Sequence, residues 1–200
     1  MRHILLIIAF SIATTAFADC ECLWQGSFAD VQHTTDLVIS GTVIASKGNS
    51  IDVSVERFLR GTDTRDAIRV WLKAKDYCRP PANNFPLGTR WVLALNRIDK
   101  AVEGGFSPHT PNVSYGRVHD YWLSSCGGYW LRQVEDRVTG NLIDAPRWEH
   151  DPKMTPVLVD LIAAFSNDQI DRDKLREASK EDPALRELIL DTRAFLRNEN

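Results

Sequence analysis

The sequence predicts a mainly β domain followed by C-terminal helices. Two observations carry this reading. Short segments rich in β-branched residues alternate in polarity and are separated by turn residues at fairly even spacing, which argues for a small sandwich or barrel. After about Pro146 the texture changes, and apolar residues recur at helical spacing instead.

The first element is a leader. Arg2 and His3 precede an apolar or small run from Ile4 to Ala18 that ends in Ala16-Phe17-Ala18. A basic start, an apolar stretch and a small-x-small end describe a cleavable signal peptide over residues 1–18. The run falls short of the roughly 20 residues a membrane-spanning helix needs. The mature chain is expected to start at Asp19, to be secreted or periplasmic, and to have no membrane insertion after cleavage. It is then expected to divide into a β domain over 19–148 and a helical segment over 149–200.

The strands follow in order. Residues 36–45 are rich in β-branched side chains. Residues 50–58 place Ile51, Val53 and Val55 on one face. Lys47-Gly48-Asn49 between them reads as a hairpin turn. Residues 67–72 read as a third strand with Ile68, Val70 and Leu72 on one face. Pro80 to Asn84 is a loop, and Leu87-Gly88-Thr89 turns the chain into a fourth strand over 90–96. Residues 99–117 are polar, rich in Gly and Pro, and read as a long loop. Residues 118–134 group aromatics around Cys126 and hold a last strand or a short helix. Trp24 and Phe28 are expected to cover one end of the barrel.

Beyond Pro146, Thr155-Pro156 reads as an N-cap and first helical residue, with Leu158, Leu161, Ile162 and Phe165 on one stripe. Ser166 with Gln169 suggests a capping box for a second helix carrying Leu175 and Ala178. Asp182-Pro183 opens a third. The acidic run from Asp168 to Asp173 lacks the central Gly and the bidentate Glu of a calcium loop, and reads as a solvated helix start.

The cysteines are Cys20, Cys22, Cys78 and Cys126. An even count in an exported chain implies disulfides. A Cys20–Cys22 bond would close a very tight ring and is disfavoured. Each of the two is then tied to Cys78 or Cys126, in either arrangement. A metal site built from these thiols lacks C-x-x-C pairs and a histidine at ligand spacing, so no cofactor and no metal of the chain's own is expected. The net charge is −3, with Lys and Arg scattered. That argues against nucleic acid or an anionic membrane surface as partner.

Taken together, Cys20-Glu21-Cys22 at the expected mature start, Cys78 after the third strand, the stretch Phe85 to Ala94, and Cys126 among tryptophans resemble tissue inhibitors of metalloproteinases and the netrin-like domain. The resemblance covers roughly residues 20–134. It implies an OB-type five-stranded barrel, with Cys20 paired to Cys78 and Cys22 to Cys126. It also implies metalloendopeptidase inhibition through Cys20, Glu21, Cys22 and Leu23. In that family the first cysteine is N-terminal, and its amine and carbonyl chelate the protease zinc. The next residue enters the specificity pocket. Here the expected cleavage leaves Asp19 ahead of Cys20, and Glu21 would bring a carboxylate to that pocket. The alternative role is a secreted or periplasmic protein-binding module that uses the same scaffold without touching zinc.

No enzyme is expected. The sequence has neither H-E-x-x-H nor G-x-S-x-G. His119, Asp120 and Ser124 or Ser125 lie close in sequence, but neighbours on a strand point to opposite faces. Asn112-Val113-Ser114 is a glycosylation sequon in a eukaryotic secretory pathway.

Overall fold

The computed structural model describes residues 20–74, 77–100, 114–144 and 157–181. The expected leader, the sequon's Asn112, the Thr155-Pro156 pair and the helix expected from Asp182 lie outside them. The described elements in chain order are α1 (Phe28–Val31), β1 (Leu37–Lys47), β2 (Ser50–Arg60), β3 (Ala67–Trp71), β4 (Arg90–Arg97), β5 (Tyr121–Trp122), β6 (Trp130–Val134), β7 (Arg137–Thr139), β8 (Val157–Leu158), α2 (Val159–Ser166) and α3 (Arg172–Glu181).

The architecture is mainly β: a closed five-stranded, OB-like barrel with short C-terminal helices. β1, β2 and β3 form an antiparallel meander. β3 then pairs in parallel with β5, through Val70–Tyr121 and Trp71–Trp122. β5 runs antiparallel to β4, and β4 returns to β1, which closes the ring. The first half of β4 carries β6 on its other edge, and β7 and β8 extend the sheet outward from there.

Closure is helped by bends in both β1 and β2. Their register slips at Val38/Ile39, Ser40/Gly41 and Val43/Ala45, with the extra residue in β2 at the first two (Leu59, Glu56) and in β1 at the third (Ile44), and each slip adds local twist. Gly41 sits within this stretch. A Cβ there would lie 2.5 Å from the Ser54 carbonyl oxygen, so only glycine lets β1 and β2 approach this closely.

The barrel interior is filled by the strand alternation. Ile51 and Val53 from β2, Ile68 and Val70 from β3, and Leu93 and Leu95 from β4 are all buried. Phe28 is 0% exposed and belongs to this core, while Trp24 is half-buried. Residues 118–134 hold two strands, β5 and β6, interrupted by the link that carries Cys126.

The C-terminal elements differ from the sequence expectation at their starts. Val157 and Leu158 pair with β7, so the helix begins at Val159 and Leu158 stays 43% exposed rather than joining the core stripe. Ser166 closes α2 instead of capping the next helix. The α3 cap is Asp171, whose carboxylate accepts the Lys174 N–H at 2.8 Å. Leu175 is buried as expected. α2 packs on β2. Arg57 pairs with Asp160, and the Asn167 amide donates to the Leu59 carbonyl. No described helix is long and apolar enough to cross a membrane.

Candidate partner-binding site

Residues 20–26 precede the first helix and run along the barrel without joining its sheet. Their exposure alternates: Glu21, Leu23 and Gln25 face outward, while Cys20, Cys22 and Trp24 are half-buried. A period of two describes an extended chain with one wet face and one packed face. Leu23 is 88% exposed, more than any other large apolar side chain described.

Three devices hold this ridge. Cys20 is bonded to Cys78 and Cys22 to Cys126, with Cα separations of 5.1 and 5.7 Å. The Gln25 N–H donates to the Cys126 carbonyl at 2.7 Å, and the Tyr129 hydroxyl donates to the Gln25 side chain. The Gly128 N–H donates to the Gly26 carbonyl at 2.9 Å. The ridge is therefore fastened at Cys20 to the β3–β4 connection and from Cys22 to Gly26 to the β5–β6 link. That link approaches closely because it carries Gly127-Gly128. A Cβ at Gly128 would lie 2.7 Å from the Phe28 nitrogen and 2.8 Å from the Asn141 oxygen.

Behind the ridge, α1 fixes the chain direction. The Asp30 carboxylate accepts both the Ser27 N–H and the Ser27 hydroxyl, at 2.8 and 2.6 Å, and the Asp30 N–H donates back to the Ser27 carbonyl at 2.9 Å, which closes the start of a one-turn helix. Burial pushes the Asp30 carboxyl up, but its bonds to Arg172 and Ser27 outweigh this and hold it below the usual carboxylate range. Arg172 also reaches Asp144 (2.9 Å), and Arg176 joins the same carboxylate (2.6 Å). Bonds from Arg176 and then Arg172 hold Asp144 down at about 2. The C-terminal helix is thus tied to the helix that anchors the ridge.

The four sulfurs converge, all within 4.8 Å of one another. Each is committed to a disulfide, and it is the thiolate that ligates metal. The donor set in this state has no thiolate to offer.

His119, Asp120 and Ser124 are not brought together. The Asp120 carboxylate is 1% exposed and accepts bonds from Trp71 (2.9 Å), Arg117 (3.1 Å) and Arg65 (3.3 Å). His119 Nδ1 faces Arg97 (3.2 Å) instead. The Ser124 hydroxyl accepts the Cys126 N–H (3.1 Å). Beside them the Tyr121 hydroxyl donates to Asp63 (2.7 Å). Burial, then Asp63, pushes that phenol up to about 12. This network braces the β3–β5 seam.

One pair of residues at the site, Gly127-Gly128, was not singled out from the sequence, although it had a visible signal, a glycine pair directly after a disulfide cysteine. No family model matches the chain, and no curated protein or solved structure matches it.

Proposed function

We propose that this chain is an exported protein that binds a protein partner through the ridge Cys20–Gln25, and that the partner is a zinc metalloendopeptidase whose active-site cleft the ridge enters. One observation carries the reading: an extended segment with Glu21, Leu23 and Gln25 outward is clamped by two disulfides to distant parts of a closed barrel. A protease cleft takes extended chain, and a segment already rigid gives up little conformational freedom on binding. Where Cys20 is the N-terminal residue, its amine and carbonyl chelate the protease zinc and displace the water that the metal activates. With Asp19 retained, the Cys20 nitrogen is an amide and has no lone pair for zinc.

A second reading, a partner-binding module that leaves zinc untouched, is favoured by the exposed Glu21. A carboxylate buried unpaired in an apolar specificity pocket is costly, whereas a basic partner surface would accept it.

The test begins with the mature N-terminus, read by intact mass, followed by inhibition assays on zinc endopeptidases. A chain that starts at Cys20 is expected to inhibit. A chain that starts at Asp19 and shows no inhibition at about micromolar concentration overturns the protease reading. Glu21→Leu separates the two readings further: it strengthens inhibition in the first and weakens partner binding in the second.

A further inference from the structure

A cleft of about 510 Å³ opens beside the disulfide clamp, with Tyr77, Arg79, Ile98, Lys100, Trp122 and Ser124 among its lining residues. Its volume lies in the range of small-ligand sites, roughly 300–1,000 Å³. Arg79 is 6% exposed. Its Nη1 donates to the Tyr115 carbonyl at 2.7 Å. Its guanidinium carbon lies 4.7 Å from the centre of the Tyr77 ring and 5.4 Å from that of Trp122. Its Nε is buried with no hydrogen-bond partner among the described residues.

Arg60 also has a buried Nε without a partner among the described residues, but its guanidinium donates to the Gln32 and Thr35 carbonyls and to the Thr35 hydroxyl, whereas that of Arg79 donates to one carbonyl. Arg65, Arg69, Arg90, Arg172 and Arg176 each pair with a carboxylate. Among the described residues Arg79 pairs with none, and burial pushes its guanidinium down to about 10. A buried cation held only by aromatic faces and one carbonyl is incompletely compensated.

We propose that this cleft binds the carboxylate of a ligand with an apolar or aromatic stem, with Arg79 taking the carboxylate and Tyr77 and Trp122 the stem. A guanidinium offers a planar fork that matches a carboxylate. A doubly charged phosphate suits the cleft less well. Asp99 also lines it, and Arg97 is already engaged by Asp99 (3.7 Å) and His119 (3.2 Å). Gln25 borders both this cleft and the ridge, but the carboxylate site does not rest on the protease reading.

The experiment uses the full disulfide-bonded chain and follows the Arg79 Nε–H resonance by NMR, with Trp122 fluorescence as a second readout. The probes are phenylacetate, its neutral analogue phenylacetamide, inorganic phosphate, and a short peptide ending in Phe with a free or an amidated C-terminus. Phenylacetate or the free-acid peptide is expected to shift the resonance saturably, each at least about tenfold more tightly than its uncharged counterpart. If the peptide binds more tightly, the natural source is a polypeptide terminus; if phenylacetate does, it is a small acid. No saturable shift with either acid, or equal binding of the neutral analogues or of phosphate, overturns the proposal. Arg79→Lys, which keeps the charge but loses the fork, is expected to weaken phenylacetate binding with the fold retained by circular dichroism. Unchanged binding in that variant also overturns it.

Discussion

At the residue scale the ridge separates positions that hold shape from positions left outward for the proposed partner. Leu23 is 88% exposed and contributes little to folding. Leu23→Ala is expected to leave stability within about 0.5 kcal/mol while weakening partner binding about tenfold or more, as truncation of an interface anchor does. Thermal melting and a binding titration on the same sample check both halves. Gly128 is the opposite case. A methyl group there meets the Phe28 nitrogen at 2.7 Å and the Asn141 oxygen at 2.8 Å, both of them backbone and slow to yield. Gly128→Ala is expected to destabilise by roughly 1–3 kcal/mol, measured by urea unfolding, and to loosen the ridge that rests on this link.

At the scale of elements, the C-terminal helices act as a brace. α3 reaches α1 through Arg172 and Asp30, and reaches the segment after β7 through Asp144. Bonds from Arg176 and Arg172 hold the Asp144 carboxyl at about 2, below its ordinary value of about 4. A depressed carboxyl stabilises the fold above its unfolded value and loses that contribution as pH falls through its folded value. The brace is therefore expected to be intact at neutral pH and to weaken between about pH 4 and pH 2. Melting temperatures of the natural chain and of Asp144→Asn should differ at pH 7 and converge toward pH 2. An unchanged difference across that window would show that Asp144 does not titrate with the brace. The pairs are exposed, so the effect at neutral pH is expected to be modest.

At the scale of the molecule, the disulfides join the first described residues to parts of the chain 58 and 104 positions away. Loop-closure estimates assign the shorter loop about 4 kcal/mol and the longer about 5 kcal/mol, as upper figures. Replacing Cys22 and Cys126 together by Ser is expected to cost more stability than replacing Cys20 and Cys78 together, as read from denaturant midpoints. The barrel beneath them closes through its own strands and is expected to remain cooperative in either variant.

The elements whose signal is local were legible in the sequence. The alternation of Ile51, Val53 and Val55 marks β2, and Gly48-Asn49 leaves room for only a tight turn between β1 and β2. The apolar positions at helical spacing through Ile162, and separately Leu175, mark α2 and α3. The helix starts were less legible, because Val157 and Leu158 satisfy their backbone groups against β7, a partner that helical spacing does not reveal. The same holds for the candidate site. Cys20, Glu21, Cys22 and Leu23 were marked by a C-x-C pattern, and period-two exposure then showed which of them face out.

What the sequence determined by itself was the set of half-buried strands, the helical ending, and a cysteine framework anchored at the N-terminal end. These depend on side-chain periodicity and residue chemistry, which act over a few positions. Only the tertiary structure decided that β3 meets β5 in parallel, that β1 closes on β4, that the Cys126 link lies flat against the ridge, and that Arg79 is buried between two aromatic rings. Each of those depends on groups distant in sequence meeting in space, where the closure of one barrel selects among pairings that local propensity leaves equal.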